Sequence, residues 1–182
     1  MQQESSSSHG IKWGVIIGLV YCLLLFARFA IGEKNPAMFT LLMFVGFIAV
    51  VVLLFFCGRS FRKMRGGYLE MKEAFKVMFI AVLILELFYA VFTIIYLKYI
   101  NPAFFDNFRL STETILTSFK QPQADVDKAL DAIDQWADGA KNMNVMDFLK
   151  TYLSNVAAMG LFALIFSFIL KRKQPVFTQD NF

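Results

Sequence analysis

Four separate stretches of this chain are long and apolar enough to cross a lipid bilayer, and no other feature restricts its fold as much. Ile11–Ala30 carries only Lys12 at its start and Arg28 near its end. Ala37–Cys57 has no charge, Val77–Leu97 has Glu86 alone, and Tyr152–Leu170 has none. About 20 mostly apolar residues span the hydrocarbon as a helix. Composition agrees: 58% of the 182 residues are hydrophobic and 18% are charged, against about 45–50% and 25% in soluble domains. The first stretch is long for a signal-peptide core, and "FARFAIGEK" offers no small-residue cleavage site, so it reads as a retained helix. The fold class is therefore an all-α membrane protein with four transmembrane helices in two antiparallel hairpins, spanning about 11–30, 37–57, 77–97 and 152–170. Residues 11–182 form a single membrane domain, preceded by a low-complexity polar leader, 1–10, expected to be disordered.

The connections set the threading. "GEKNP", Gly32–Pro36, is a short turn punctuated by Gly and Pro. The second connection, 58–76, carries Arg59, Arg62, Lys63, Arg65, Lys72 and Lys76, and Lys171–Lys173 follows the last span. With four spans these basic groups share one side, and lysine and arginine near span ends stay in the cytoplasm. Both termini and the basic connection are thus placed on the cytoplasmic side of the membrane. A basic connection of this kind sets topology and touches anionic headgroups; nucleic acid is not an expected partner.

The third connection, 98–150, is polar and acidic, and is placed outside the cytoplasm. "NPAFFDNF", Asn101–Phe108, has the composition of a segment lying back on the membrane interface, and Leu110–Phe119 reads as a short helix. In Gln123–Lys141 the residues Val126, Ala129, Leu130, Ile133, Trp136, Ala137 and Ala140 recur at helical spacing. Asp125, Asp127, Asp131, Asp134 and Asp138 fall largely on the other face. An acidic polar face is wrong for adsorbing to anionic lipid, so this amphipathic helix either caps the outer ends of the bundle or docks a partner.

Glu86 is the most unusual residue in the spans. Nine helical residues from Val77 place it about 14 Å deep, close to the middle of a core about 30 Å thick. A charge there costs a few kcal/mol or more, so the carboxyl must be protonated, paired or wet. Tyr89, Thr93 and Tyr96 share its face. Tyr21, at similar depth on the first span, and Asn155 on the fourth are candidate hydrogen-bond partners. Arg28 sits one to two turns nearer the outer surface and can bend inward or extend outward. A neutral acid bonded between helices and a proton- or ion-coupling group are the two roles to be separated.

"GVIIG", Gly14–Gly18, is a G-x-x-x-G that permits close helix approach without specifying a partner; Gly46 and Gly160 have a similar small-residue character. Cys22 and Cys57 differ too much in depth to form a disulfide and read as apolar fillers. His9 has no second ligand nearby, so no metal is expected. No Walker loop, G-x-S-x-G, H-E-x-x-H or C-x-x-C is present, which leaves no catalytic residue and no cofactor to assign.

"GGYLEMKEAFKVMFIAVLI", Gly66–Ile84, resembles a family of small bacterial membrane proteins, the domain of unknown function 4199, found mainly in Bacteroidetes. "KWGVIIGLV", the basic connection and "YLKYINPAFFDNF" are similar to the same family. The resemblance implies four helices in an inner membrane, no activity and no functional residues to transfer. The expected function is a non-catalytic accessory or scaffold protein. It would associate with other membrane proteins or with itself through small-residue faces and the acidic helix. The alternative is a small proton- or ion-coupled transporter or channel component using Glu86.

Overall fold

The computed structural model describes residues 5–172. Lys173, one of the basic residues after the last span, lies outside the described residues. Four helices are long and apolar enough to cross a membrane: α1 (Ser6–Gly32), α2 (Pro36–Met64), α3 (Met71–Ile95) and α6 (Val145–Leu170). Between α3 and α6 lie α4 (Phe104–Ser118) and α5 (Gln123–Lys141). The protein is an all-α membrane protein.

Caps explain several helix starts. The Ser5 side chain accepts from the Ser8 amide, Asn35 from Met38 and Asn144 from Asp147. Each satisfies one of the free donors at a helix start, and Pro36 occupies a first-turn position where it needs no donor. Between α2 and α3, Gly66 and Gly67 take φ +70° and +89°, a left-handed conformation open to glycine at little cost. The end of α3 widens into a π-helical turn, Tyr96–Ile100, closed by the Asn101 amide on the Tyr96 carbonyl at 2.8 Å.

Three expectations need correction. The leader is not disordered from Ser6 onward: it is the first turn of α1, and His9 is buried against the Phe61 ring, centroids 5.3 Å apart. The 58–76 connection is mostly helix, because nothing before Gly66 breaks α2. Arg59, Arg62 and Lys63 therefore extend α2 beyond its apolar run, and Lys72 and Lys76 begin α3. Asn101–Phe108 does not lay its rings out on a surface. Its Phe104, Phe105 and Phe108 start α4 and are buried against Phe29, Phe39 and Trp136, where aromatic edges meet aromatic faces.

The most extensive helix pairing joins α1 to α3, across the two expected hairpins; α1 also packs on α2, and α3 on α6. Close approach along α1–α3 comes from Gly10, Gly14 and Gly18. A methyl group on them would lie 2.6 Å from the Val77 carbonyl oxygen, 2.8 Å from Ile84 Cβ and 2.7 Å from Phe88 Cγ.

One end of the bundle collects the basic groups. Leu69 and Arg172 exchange two backbone hydrogen bonds of 2.9 Å, so the end of α6 lies beside the α2–α3 turn. The Gly10–Val77 contact brings the start of α1 to the same end. At the opposite end, Val126, Leu130, Ile133 and Ala137 of α5 are buried in one cluster with Leu25, Phe29, Phe39, Tyr96 and the α4 phenylalanines. The apolar stripe of α5 is thus covered by α4 and the ends of α1–α3. Around the spans, Leu19, Leu23, Phe44, Ile48, Leu161 and Ile165 point outward and exposed, a surface suited to lipid and not to water.

Candidate functional site

Glu86 and its surroundings form the polar feature within the spans. Glu86 is 6% exposed, and the Asn155 side chain of α6 lies within hydrogen-bonding reach of its carboxyl. Tyr21, Tyr89 and Tyr152 lie close enough to interact with it electrostatically. Tyr21 is wedged between α2 and α3: its ring edge sits over Gly46 and its face stacks on Tyr89, with centroids 5.8 Å apart. Tyr152 donates to the Leu83 carbonyl of α3 at 3.0 Å. Two side chains of α6, Tyr152 and Asn155, thus face α3 at Leu83 and Glu86.

Arg28 neither meets Glu86 nor extends outward. Its guanidinium lies over the Phe39 ring, 4.0 Å from the centroid, and 5.9 Å from that of Phe29, a cation–π arrangement. Its Nε is enclosed without a hydrogen-bond partner among the described residues. It is close enough to Tyr21 and Tyr89 for electrostatic interaction. The candidate residues therefore form a ladder from Asn155 and Glu86 through Tyr89 and Tyr21 to Arg28.

Beside this ladder is a cavity of about 460 Å³, between α3, α5 and α6. Its wall from α3 includes Tyr89, Ala90 and Thr93, its wall from α5 includes Trp136 and Gly139, and its wall from α6 includes Thr151, Tyr152 and Asn155. Lys98 and Asp147 also border it. Thr93 Oγ1 is buried with no hydrogen-bond partner of acceptable geometry among the described residues, although the Tyr89 hydroxyl is within electrostatic reach. Asn155 joins the two features, since it lies within hydrogen-bonding reach of Glu86 and also lines the cavity. A pocket of several hundred Å³ with mostly apolar walls and a few convergent polar groups is the usual form of a small-ligand site.

Sequence reasoning placed Tyr89, Thr93 and Asn155 near Glu86, but not α5 as a wall of the same space. Tyr152, three residues before Asn155 and so on the same helix face, is the signal that could have enlarged the set. Gly14 and Gly18 face α3 of this chain, and Gly46 and Gly160 face Tyr21 and Phe79. Those small-residue surfaces are used within the bundle. Among the described residues no three His, Cys, Asp or Glu side chains converge in a way that could hold a metal ion.

A family model described as "Protein of unknown function (DUF4199)" matches residues 12–172, the family that Gly66–Ile84 resembles. No curated protein matches the chain, and no solved structure does.

Proposed function

Because this chain belongs to DUF4199, a family whose description assigns no activity, we propose its role from its geometry: a non-catalytic accessory protein of the bacterial inner membrane that holds a small, largely apolar ligand in the cavity between α3, α5 and α6. The observation that carries this reading is the position of Asn155. It lies within hydrogen-bonding reach of a buried carboxyl and also lines the cavity. A polar group anchored in this way keeps one orientation, which is what a binding floor requires. Glu86 then serves as the anchor of Asn155 and carries no ion itself.

The orientation follows from the bundle's two ends. Lys12, Arg59, Arg62, Lys63, Arg65, Lys72, Lys76, Lys171 and Arg172 belong to the end where the start of α1, the α2–α3 turn and the end of α6 meet. The positive-inside rule puts that end in the cytoplasm and the cavity toward the exterior. Association with another membrane protein or with a second copy would use the exposed apolar faces of the spans, because the glycine faces are already packed.

An ion-coupled reading has one observation in its favour: Asn155, Tyr89 and Tyr152, all near Glu86, also line the cavity. Two measurements separate the readings. Native mass spectrometry of protein purified in mild detergent should show a bound small molecule, lost on Gly139→Leu. Proteoliposomes loaded with a pH-sensitive dye should leak protons no faster than empty vesicles. A proton flux abolished by Glu86→Gln would replace the accessory reading with the transport one.

A further inference from the structure

A second concavity, of about 520 Å³, lies at the basic end on the side of the bundle, away from Glu86. It is lined by Trp13 of α1 and by Leu53, Phe56, Arg59, Arg62 and Lys63 of α2, with Ser60 and Gly67 at its edge. Three features set it apart from a merely basic surface. Its cations are Arg59, Arg62 and Lys63, and no acidic residue lines it. None of the three makes an ion pair among the described residues, whereas nearby Arg65 is bonded to Glu73 at 3.3 Å. One helical turn farther from the basic end the same concavity becomes apolar, with Phe56 exposed beside Leu53. Cations at a span end, a tryptophan at headgroup depth and an apolar channel running toward the bilayer centre match the layers of a lipid molecule.

We propose that this groove is a binding site for one anionic phospholipid of the leaflet on the basic side. Its phosphate-bearing headgroup sits among Arg59, Arg62 and Lys63, and an acyl chain lies along Leu53 and Phe56 against Trp13. Arginine can meet a phosphate through two parallel N–H donors, and the Ser60 hydroxyl is available to a third phosphate or glycerol oxygen. The site does not depend on the outer cavity or on the reading of Glu86.

Trp13 is a built-in reporter, because the chain has two tryptophans and Trp136→Phe leaves one. In vesicles of phosphatidylcholine with a minor fraction of brominated phosphatidylglycerol, Trp13 fluorescence should be quenched far more than by brominated phosphatidylcholine at the same mole fraction. The triple substitution Arg59→Gln, Arg62→Gln, Lys63→Gln should reduce that preference on the order of tenfold. A control triple of equal charge, Lys12→Gln, Lys72→Gln, Lys76→Gln, should leave it within about twofold. Equal loss in the two triples would reduce the effect to diffuse surface charge and overturn the proposal. Relief of the quenching by soluble glycerol phosphate would overturn it in favour of a free phosphate site. Circular dichroism and gel filtration check that each variant keeps its fold.

Discussion

The two halves of the bundle are built on different packing rules. At the basic end the buried core is thin and mainly aliphatic, with Phe61 its one fully buried ring among the described residues: Val77, Ala81, Val82 and Leu85 of α3 meet the glycine edge of α1, and Leu54 and Cys57 of α2 close the other side. Backbones approach so closely that a single methyl group would collide. At the opposite end the core is aromatic and deep. Phe29, Phe39, Tyr96, Phe104, Phe105 and Phe108 fill it, and it is completed by α4 and α5, which are not spans. Small residues hold helices together by excluding everything between them, as they must where lipid supplies no hydrophobic drive. Large rings hold separate helices at a distance, and imperfect closure between them leaves the cavity.

The strongest way to break this contrast is to enlarge α1 where it touches α3. Gly14→Leu places a side chain where Ile84 Cβ would be 2.8 Å from the first added carbon. Overpacking of this kind costs about 1–3 kcal/mol, and more where backbone must move. The expected outcome is loss of the folded bundle well below the wild-type melting temperature, measured by thermal unfolding in detergent. A wild-type melting curve would mean that α1 and α3 are not in contact.

The aromatic half should yield locally. Leu130 of α5 is buried, and Leu130→Ala should cost about 2–3 kcal/mol by the loss of packing at one site. Because α5 sits on the ends of the spans, the cost should appear as faster amide exchange in α4 and α5 while the spans keep their protection. Hydrogen exchange read by mass spectrometry tests this; uniform loss of protection would show that the two halves unfold as one.

The link between the halves is the Glu86–Asn155 bond. Asn155→Ala removes the partner of a buried carboxyl and should destabilise by about 1–2 kcal/mol, since bonds between membrane helices are commonly worth about 0.6 to 1.7 kcal/mol and an orphaned buried group adds to that. Glu86→Gln keeps an acceptor for the Asn155 amide and should change stability by less than about 0.5 kcal/mol. Equal effects of the two substitutions in the same unfolding assay would remove the anchor role.

How far these features can be read in the chain differs between the halves for the same physical reasons. The four spans are legible because bilayer thickness imposes a length that few other structures require. The depth of Glu86 is legible too, and the sequence offers Tyr21, at similar depth, and Asn155 of the fourth span as partners. Which of them bonds it depends on how each helix is rotated about its axis. That rotation is set by Gly10, Gly14 and Gly18 meeting α3, and a G-x-x-x-G states close contact without naming its partner. The cavity is harder still: Trp136 and Gly139 reach it only because α5 folds back over α3 and α6, a placement that helical periodicity does not encode. The phenylalanines of Asn101–Phe108 suit an interface by composition and an aromatic core by shape, and the presence of Phe29 and Phe39 at the same end settles the choice.

The sharpest comparison, and the one substitution expected to cost no stability, repeats the first substitution in the other half. Gly139 lies on α5 at the cavity wall, and nothing lies within 4 Å of where its Cβ would be. Leucine is favoured over glycine inside a helix by somewhat under about 1 kcal/mol, so Gly139→Leu should leave the melting temperature unchanged or raise it slightly. The same added atoms that collapse the bundle at Gly14 would here fill empty space. If the cavity is a binding site, this variant keeps its fold and loses its ligand, a separation that no substitution at Glu86, Asn155 or Gly14 can give. If Gly139→Leu destabilises as Gly14→Leu does, α5 is packed against the spans more tightly than the geometry shows, and the contrast between a closed half and an open half fails with it.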